Sequence, residues 1–171
     1  MSSVFSRISN FLKEHEISFL HRTHAPTPTS KDSARERGED LSQGAKAILY
    51  KIQNDYYLFV LAANQKLDPR KIKTYFKESG RKAKKSRFAS LDELASLTGL
   101  VPGEVPPFGH PILPFQLFVD PSLMNNTTIS FNAGSLENSI SMKLEDYISV
   151  ANPEIFEFAK QELKNESVNE E

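Results

Sequence analysis

Val4, Ile8, Phe11 and Leu12 recur at three- and four-residue intervals, which predicts an amphipathic helix over residues 4–15. Ile17 to His21 reads as a short strand, and Pro26 and Pro28 then force an extended, irregular segment. Thr29 or Ser30 is placed to cap a second helix, with Asp32 in its first turn and Gly38 as its stop. Two apolar runs, Ala45 to Ile52 and Tyr56 to Ala62, flank Asn54-Asp55 and predict a β-hairpin. Pro69 to Glu78 has proline in its first turn and Gly80 just past its end, the asymmetry of a helix. Ser90-Leu91-Asp92-Glu93 opens a fourth helix that stops at Gly99.

Residues 99–114 break the alternation. They hold five prolines and three glycines, too many prolines for a central strand and too long a stretch for a turn. An ordered loop of that length is a common carrier of binding groups. Strands are predicted at Phe115 to Val119, Thr127 to Asn132 and Ser139 to Leu144, and helices at Asp146 to Val150 and Pro153 to Lys164. Short connections between strands favour an α+β fold: one domain with a mixed, partly antiparallel and curved sheet surrounded by helices. The domain is expected to span 1–164, followed by an acidic, flexible tail at 165–171.

The length of 171 residues suits one domain with a core of its own. The absence of cysteine excludes disulfides, thiolate metal sites and a cysteine nucleophile. No stretch approaches the roughly 20 apolar residues of a membrane span, and the first fifteen residues lack a signal-peptide core, so a cytoplasmic location is the default. The net charge of −1 conceals an uneven distribution. Between Lys66 and Arg87 ten basic residues stand against two acidic ones, whereas Ala151 to Glu171 holds six Glu and two Lys. A basic stretch this dense raises the question of nucleic acid.

Candidate chemistry is sparse. There is no P-loop, no Gly-rich dinucleotide fingerprint and no Gly-x-Ser-x-Gly elbow. The pair His21 and His24 does not suit a metal, because residues three apart in an extended segment point to opposite faces. Neither a metal nor a cofactor is expected. Lys46 begins an apolar strand in which Lys46, Ile48 and Tyr50 share one face and Ala45, Ala47 and Leu49 the other. It is either a surface lysine with a buried stem or a cation at a pocket mouth. Gly103 to Pro107 and Asn132-Ala133-Gly134 are rigid small-residue turns whose backbone N–H groups could face an oxyanion or a phosphate.

Taken in order, these segments resemble the YbaK/ProX-type aminoacyl-tRNA editing family, which includes free-standing deacylases and the editing insertion of prolyl-tRNA synthetases. The resemblance runs over about residues 5–158, through Thr23-His24-Ala25-Pro26, Arg37-Gly38, Gln43-Gly44-Ala45-Lys46-Ala47-Ile48-Leu49, Thr98-Gly99, Pro102-Gly103-Glu104-Val105-Pro106-Pro107-Phe108-Gly109, Val119-Asp120 and Phe131-Asn132-Ala133-Gly134. It implies hydrolysis of the ester between an amino acid and the terminal adenosine of tRNA, with water oriented by the adenosine 2′-hydroxyl and an oxyanion held by backbone groups. The family pattern places Lys46, Gly103, Pro107 and Gly134 in the catalytic set. His24, Thr27, Gly109, Asn132, Ala133 and Ser139 are the expected substrate-binding residues. At a reference pKa of about 10.4 Lys46 is protonated, so it suits anchoring better than proton abstraction. Ser139 stands where the cysteinyl-tRNA branch carries an acid, and the sequence is most similar to the branch that clears seryl- and threonyl-tRNA, with the alanyl branch next.

The same resemblance gives the basic stretch a role: Lys82, Lys84, Lys85 and Arg87 are expected to meet the tRNA backbone. Association with a synthetase is an optional second partnership, and the oligomeric state is left open. Two rival readings stand beside the deacylase: a non-catalytic tRNA-binding or synthetase-associated module of the same fold, and an unrelated small-molecule esterase.

Overall fold

Ser3, Thr29, Asp68 and Ser90 each turn a side-chain oxygen back onto a backbone N–H in the first turn of the helix that follows. The helices so begun are α1 (Val4–Glu14), α2 (Ser30–Arg37), α3 (Pro69–Glu78) and α4 (Leu91–Thr98). At α4 the cap is reciprocal, since Glu93 also accepts from the Ser90 N–H at 2.9 Å. A fifth helix, α5 (Leu144–Ala151), ends at Asn152 in the left-handed conformation. The computed structural model describes residues 3–161. The acidic tail expected at 165–171 lies outside them.

Among the described residues there are ten strands: β1 (Phe19–Thr23), β2 (Ala45–Ile52), β3 (Asp55–Ala62), β4 (Gln65–Leu67), β5 (Ser86–Phe88), β6 (Gln116–Val119), β7 (Thr128–Asn132), β8 (Asn138–Lys143), β9 (Glu154–Ile155) and β10 (Ala159–Gln161). They divide among three sheets. Five strands run in the order β5-β2-β3-β6-β9, antiparallel across β5, β2 and β3 and parallel from β3 to β6 to β9. The antiparallel sheet β1-β8-β7 faces the first, and β10 pairs with β4. The mixed, partly antiparallel α+β architecture expected from the sequence is therefore the one found.

Alternation along β2 serves two separate cores. Ala45 and Leu49 lie among Ile8, Leu12, Phe108, Phe131, Ile140 and Tyr147, between the two larger sheets. Tyr50 and Ile52 join Phe59, Ile72, Phe76, Phe118 and Phe158 on the opposite face, under α3. Lys46 belongs by register to this second face.

Two expectations fail for identifiable reasons. The strand read at Ile17 to His21 begins only at Phe19. The end of α1 uses the intervening residues: Ile17 N–H donates to Leu12 O, and Glu16 adopts φ +58°. The helix expected at Pro153 to Lys164 is not formed over its described part, 153–161. Glu154–Ile155 and Ala159–Gln161 are strands, and between them Phe156 and Phe158 both turn inward. Asp120, 2% exposed, fixes this path by accepting from the backbone N–H groups of Phe158 (2.7 Å) and Ala159 (2.8 Å). A helix would have given those two donors to the chain's own carbonyls. The basic run also changes character: Ser86–Phe88 is a strand paired to β2, with Ala83 buried.

Candidate active site

β2 is paired along its whole length with β3, but β5 covers only Tyr50 to Ile52 on its other edge. The Leu49 carbonyl accepts from Ala89 N–H on that side, so the backbone groups of Ala45 and Ala47 point the same way. A cavity of about 400 Å³ opens along this edge. α2, the first turn of the 101–105 loop and the end of β7 form its other walls. A parallel bridge between Gly44 and Ser130, both lining the cavity, ties the residue before β2 to β7.

The polar end of the cavity is built around Arg37, in the last turn of α2 and only 9% exposed. Its Nε donates to Ser139 Oγ and its Nη2 to Asn132 Oδ1, both at 2.9 Å. Asn132 Nδ2 donates in turn to the Gly103 carbonyl at 2.9 Å, and more distantly to Thr27 Oγ1 and Ser33 Oγ at 3.3 Å. His24 Nε2 lies 2.6 Å from Ser139 Oγ, and its Nδ1 2.8 Å from the Ala25 carbonyl. Ser139 Oγ accepts from Arg37 and donates to Asn132 Oδ1 at 3.2 Å. Burial pulls the Arg37 guanidinium down to about 10, opposed by the charge of Glu39 and assisted by that of Arg22. It stays a cation at neutral pH. Glu39 supplies the counter-charge: its Oε1 accepts from Arg22 at 3.1 Å and Ser130 at 2.8 Å, while its buried Oε2 has no hydrogen-bond partner.

Thr27, Lys46, Gly103 and Asn132 line the cavity. Ser139 and His24 reach it through the Arg37 network. Lys46 Nζ donates to the Gln65 carbonyl at 2.6 Å. Gly103 has φ +91°, and a Cβ there would stand 3.1 Å from Leu136 Cδ2, so this turn accepts only glycine without rearrangement. The remaining expected residues stand behind the wall. Pro107 gives its carbonyl to the buried Tyr147 hydroxyl at 2.6 Å, and burial raises that hydroxyl's pKa far above its usual value. Gly109 lies against the Phe115 carbonyl. Ala133 is fully buried and donates to the Asn138 carbonyl. Gly134 packs against Val4 at the start of α1 and ties its N–H to Glu104 O at 2.9 Å.

Lys82, Lys84 and Lys85 are exposed. Arg87 is engaged in a two-pronged ion pair with Glu93, at 2.6 and 3.2 Å. β5 continues from these residues into Phe88 and Ala89, which line the cavity. Among the described residues no three of His, Asp or Glu stand close enough to hold a metal ion, and no helix is long and apolar enough to cross a membrane.

Sequence reasoning passed over Arg37, Ser33 and Glu39 as site residues. Arg37 stood in the resemblance only as the residue before a helix-stopping glycine. The available signal was an arginine on the same helix face as Ser33 and Ala34, the small, buried residues of α2.

The profile of the aminoacyl-tRNA editing domain matches residues 24–150. The chain belongs to that family. It is 34% identical over 165 residues to the multifunctional Ser/Thr-tRNA deacylase ProXp-y of Escherichia coli K12, spanning 93% of this chain and 95% of the relative. The same protein from Escherichia coli O157:H7 gives the same figures. The fold is shared with the crystal structure of a candidate trans-editing enzyme for prolyl-tRNA synthetase, at TM-score 0.75 and 21% identity over 94% of this chain and 99% of that one. As an editing domain, the cavity has walls bearing two titratable side chains, Arg37 and Lys46, both cations, with no carboxylate or imidazole among the described lining residues.

Proposed function

We propose that this protein hydrolyses the ester of mischarged aminoacyl-tRNA in trans, with seryl- and threonyl-tRNA as its preferred substrates. The observation that carries the reading is the cavity lined by Arg37, Asn132 and Gly103, whose polar wall is cross-tied at 2.9 Å from three separate segments of chain. Such a wall holds a substrate still without reorganising during reaction, and positioning with oxyanion stabilisation is what ester hydrolysis most needs. A cavity lined by cations and neutral donors stabilises negative charge developing on an ester oxygen. Its described lining residues offer no side-chain base, so proton abstraction falls to the substrate, where a ribose hydroxyl neighbours the ester. The E. coli relative named for Ser/Thr-tRNA supports the choice of acyl group.

In this reading Lys46 anchors the nucleotide end. The exposed Lys82, Lys84 and Lys85 receive the acceptor-stem phosphates, and their strand leads directly into the cavity wall. Synthetase association belongs to the same proposal as an optional partnership, and the protein is placed in the cytoplasm.

The test is deacylation of seryl-, threonyl-, alanyl- and cysteinyl-tRNA with chelator present and the Lys46→Ala variant alongside. Release of serine and threonine that needs Lys46 is expected. No release from any of the four, by a folded protein that still binds tRNA, would replace this reading with the non-catalytic tRNA-binding module.

A further inference from the structure

Arg37 has one nitrogen to spare. Nε is committed to Ser139 and Nη2 to Asn132, while Nη1 makes no hydrogen bond among the described residues. This nitrogen belongs to a side chain nine-tenths buried that lines the cavity. It lies on the Gly44 side, 3.9 Å from the point where a Cβ on Gly44 would stand. That same point is 3.4 Å from the Leu41 carbonyl oxygen. Ala63 Cβ stands 3.1 Å from the point, and the Leu41 carbonyl already accepts from the Gly44 N–H at 3.1 Å with a second lone pair left. The space beside Gly44 is therefore narrow and has a charged donor and a backbone acceptor at its edge.

The neighbouring hydroxyls are already occupied. Ser33 donates to Thr27, Thr27 to the Leu136 carbonyl, and Ser130 to Glu39. What the pocket lacks is a group that accepts from Nη1 and donates to a carbonyl. An alcohol does both. An ammonium does not: it cannot accept, and the guanidinium repels it, so the substrate's α-amino group must point away from Arg37. A methyl there would crowd Ala63 Cβ, 3.1 Å from the same point, and would leave the charged donor unpaired; leaving such a group unsatisfied is what gives hydroxyl-reading sites their discrimination.

We infer that Arg37 is the residue that reads the side-chain hydroxyl of the bound aminoacyl group, through Nη1, in the small recess beside Gly44. This inference rests on the deacylase reading and adds to it the origin of the acyl preference. Ser139 and Asn132 are the positioning residues that hold the guanidinium in the plane from which Nη1 reaches the recess.

The experiment compares seryl and alanyl esters on one tRNA, a pair differing by that hydroxyl alone. Arg37→Gln also loosens the wall for every substrate, so kcat/KM is expected to fall on both esters, and the seryl-to-alanyl ratio of kcat/KM to drop tenfold to a hundredfold. Equal loss on both esters would overturn the inference, because it would put Nη1 on a group common to all substrates, the ester itself. Unchanged rates on both would also overturn it. If Arg37→Gln does not fold because Ser139 and Asn132 lose their donor, Arg37→Lys, which keeps one charged donor but has no Nη1, takes its place in the comparison. A second readout separates this inference from the deacylase reading: affinity for amide-linked seryl- and alanyl-adenosine, which bind without being cleaved. A preference for the seryl amide that disappears with Arg37 supports the inference even in a protein that turns over no ester. Equal affinities in the wild-type protein overturn it.

Discussion

Arg37 and Asn132 stand 95 residues apart in sequence and are joined by a 2.9 Å hydrogen bond from Nη2 to Oδ1. Through that bond helix α2 and strand β7 become one wall. Asn132 spends its other end on the Gly103 carbonyl, so the proline-rich loop is held by the same side chain.

Asn132→Asp separates these two duties. The acceptor for Arg37 survives, but the donor to Gly103 is replaced by a repelling oxygen. Deacylation is expected to fall on the order of a hundredfold, the scale of a small misplacement of a positioned group. Thermal unfolding should shift by about 1–3 kcal/mol, the usual cost of a broken buried hydrogen bond. A variant with wild-type turnover would show that the loop holds its position without this tie.

Gly134 and Gly80 share φ +78° but not their surroundings. Around Gly80 nothing lies within 4 Å of an added Cβ, whereas at Gly134 the Cβ would meet Val4 Cβ at 2.8 Å. Gly80→Ala is expected to cost only the left-handed backbone penalty, about 1–2 kcal/mol. Gly134→Ala should cost about 1–3 kcal/mol more, since α1 must move to make room. Urea midpoints of the two variants measure the difference directly.

Glu93 lends the protein acid sensitivity. Hydrogen bonds from Arg87 first, then from Tyr56 and the Ser90 backbone, hold its carboxyl far below the usual range. A carboxyl lowered on folding contributes stability that is fully present above its unfolded pKa and is lost as pH falls through the folded one. Glu93→Gln keeps the reciprocal helix cap but not the charge. It should melt below the wild type at pH 7, and the gap should close as pH drops below about 4, the ordinary carboxylate pKa. Melting curves that stay parallel across that window would contradict this account.

The basic residues near the cavity divide by engagement. Each lysine of Lys82, Lys84 and Lys85 that meets a phosphate contributes about 0.9 to the slope of log K against log salt. Replacing all three by alanine should lower that slope by up to about 3 in filter binding of tRNA. Arg87→Ala should change the slope less, because its guanidinium is bound to Glu93. A larger effect from Arg87 than from the three lysines together would place the tRNA on the α4 side instead.

The helices were legible because their ends are written in local chemistry: Thr29 and Gly38 bracket α2, and Ser90 with Glu93 opens α4. The hairpin was legible from its two apolar runs and the Asn54-Asp55 pair between them. The segment after Pro153 was not, because its conformation is imposed by Asp120, a residue more than thirty positions earlier that captures two backbone N–H groups. The short strands β4 and β5 escaped for the same reason, each existing only through its partner. In the site, Gly103 and Asn132 were readable as a rigid turn and a polar residue among small ones. Arg37 was not, since a buried arginine looks like any surface arginine until its partners Ser139 and Asn132 are brought to it.

Lys46 holds the Gln65 carbonyl, and Gln65 opens a three-residue strand whose ladder partner is β10, at the far end of the described chain. With Asp120 gripping Phe158 and Ala159, those last residues act as a latch on the lysine side of the cavity. Removing them would delete no residue of the cavity wall, yet it would unfasten the strand against which Lys46 is braced. β10 is thus a fastening for the strand that holds Lys46, and removing it is an operation on the lysine side of the cavity.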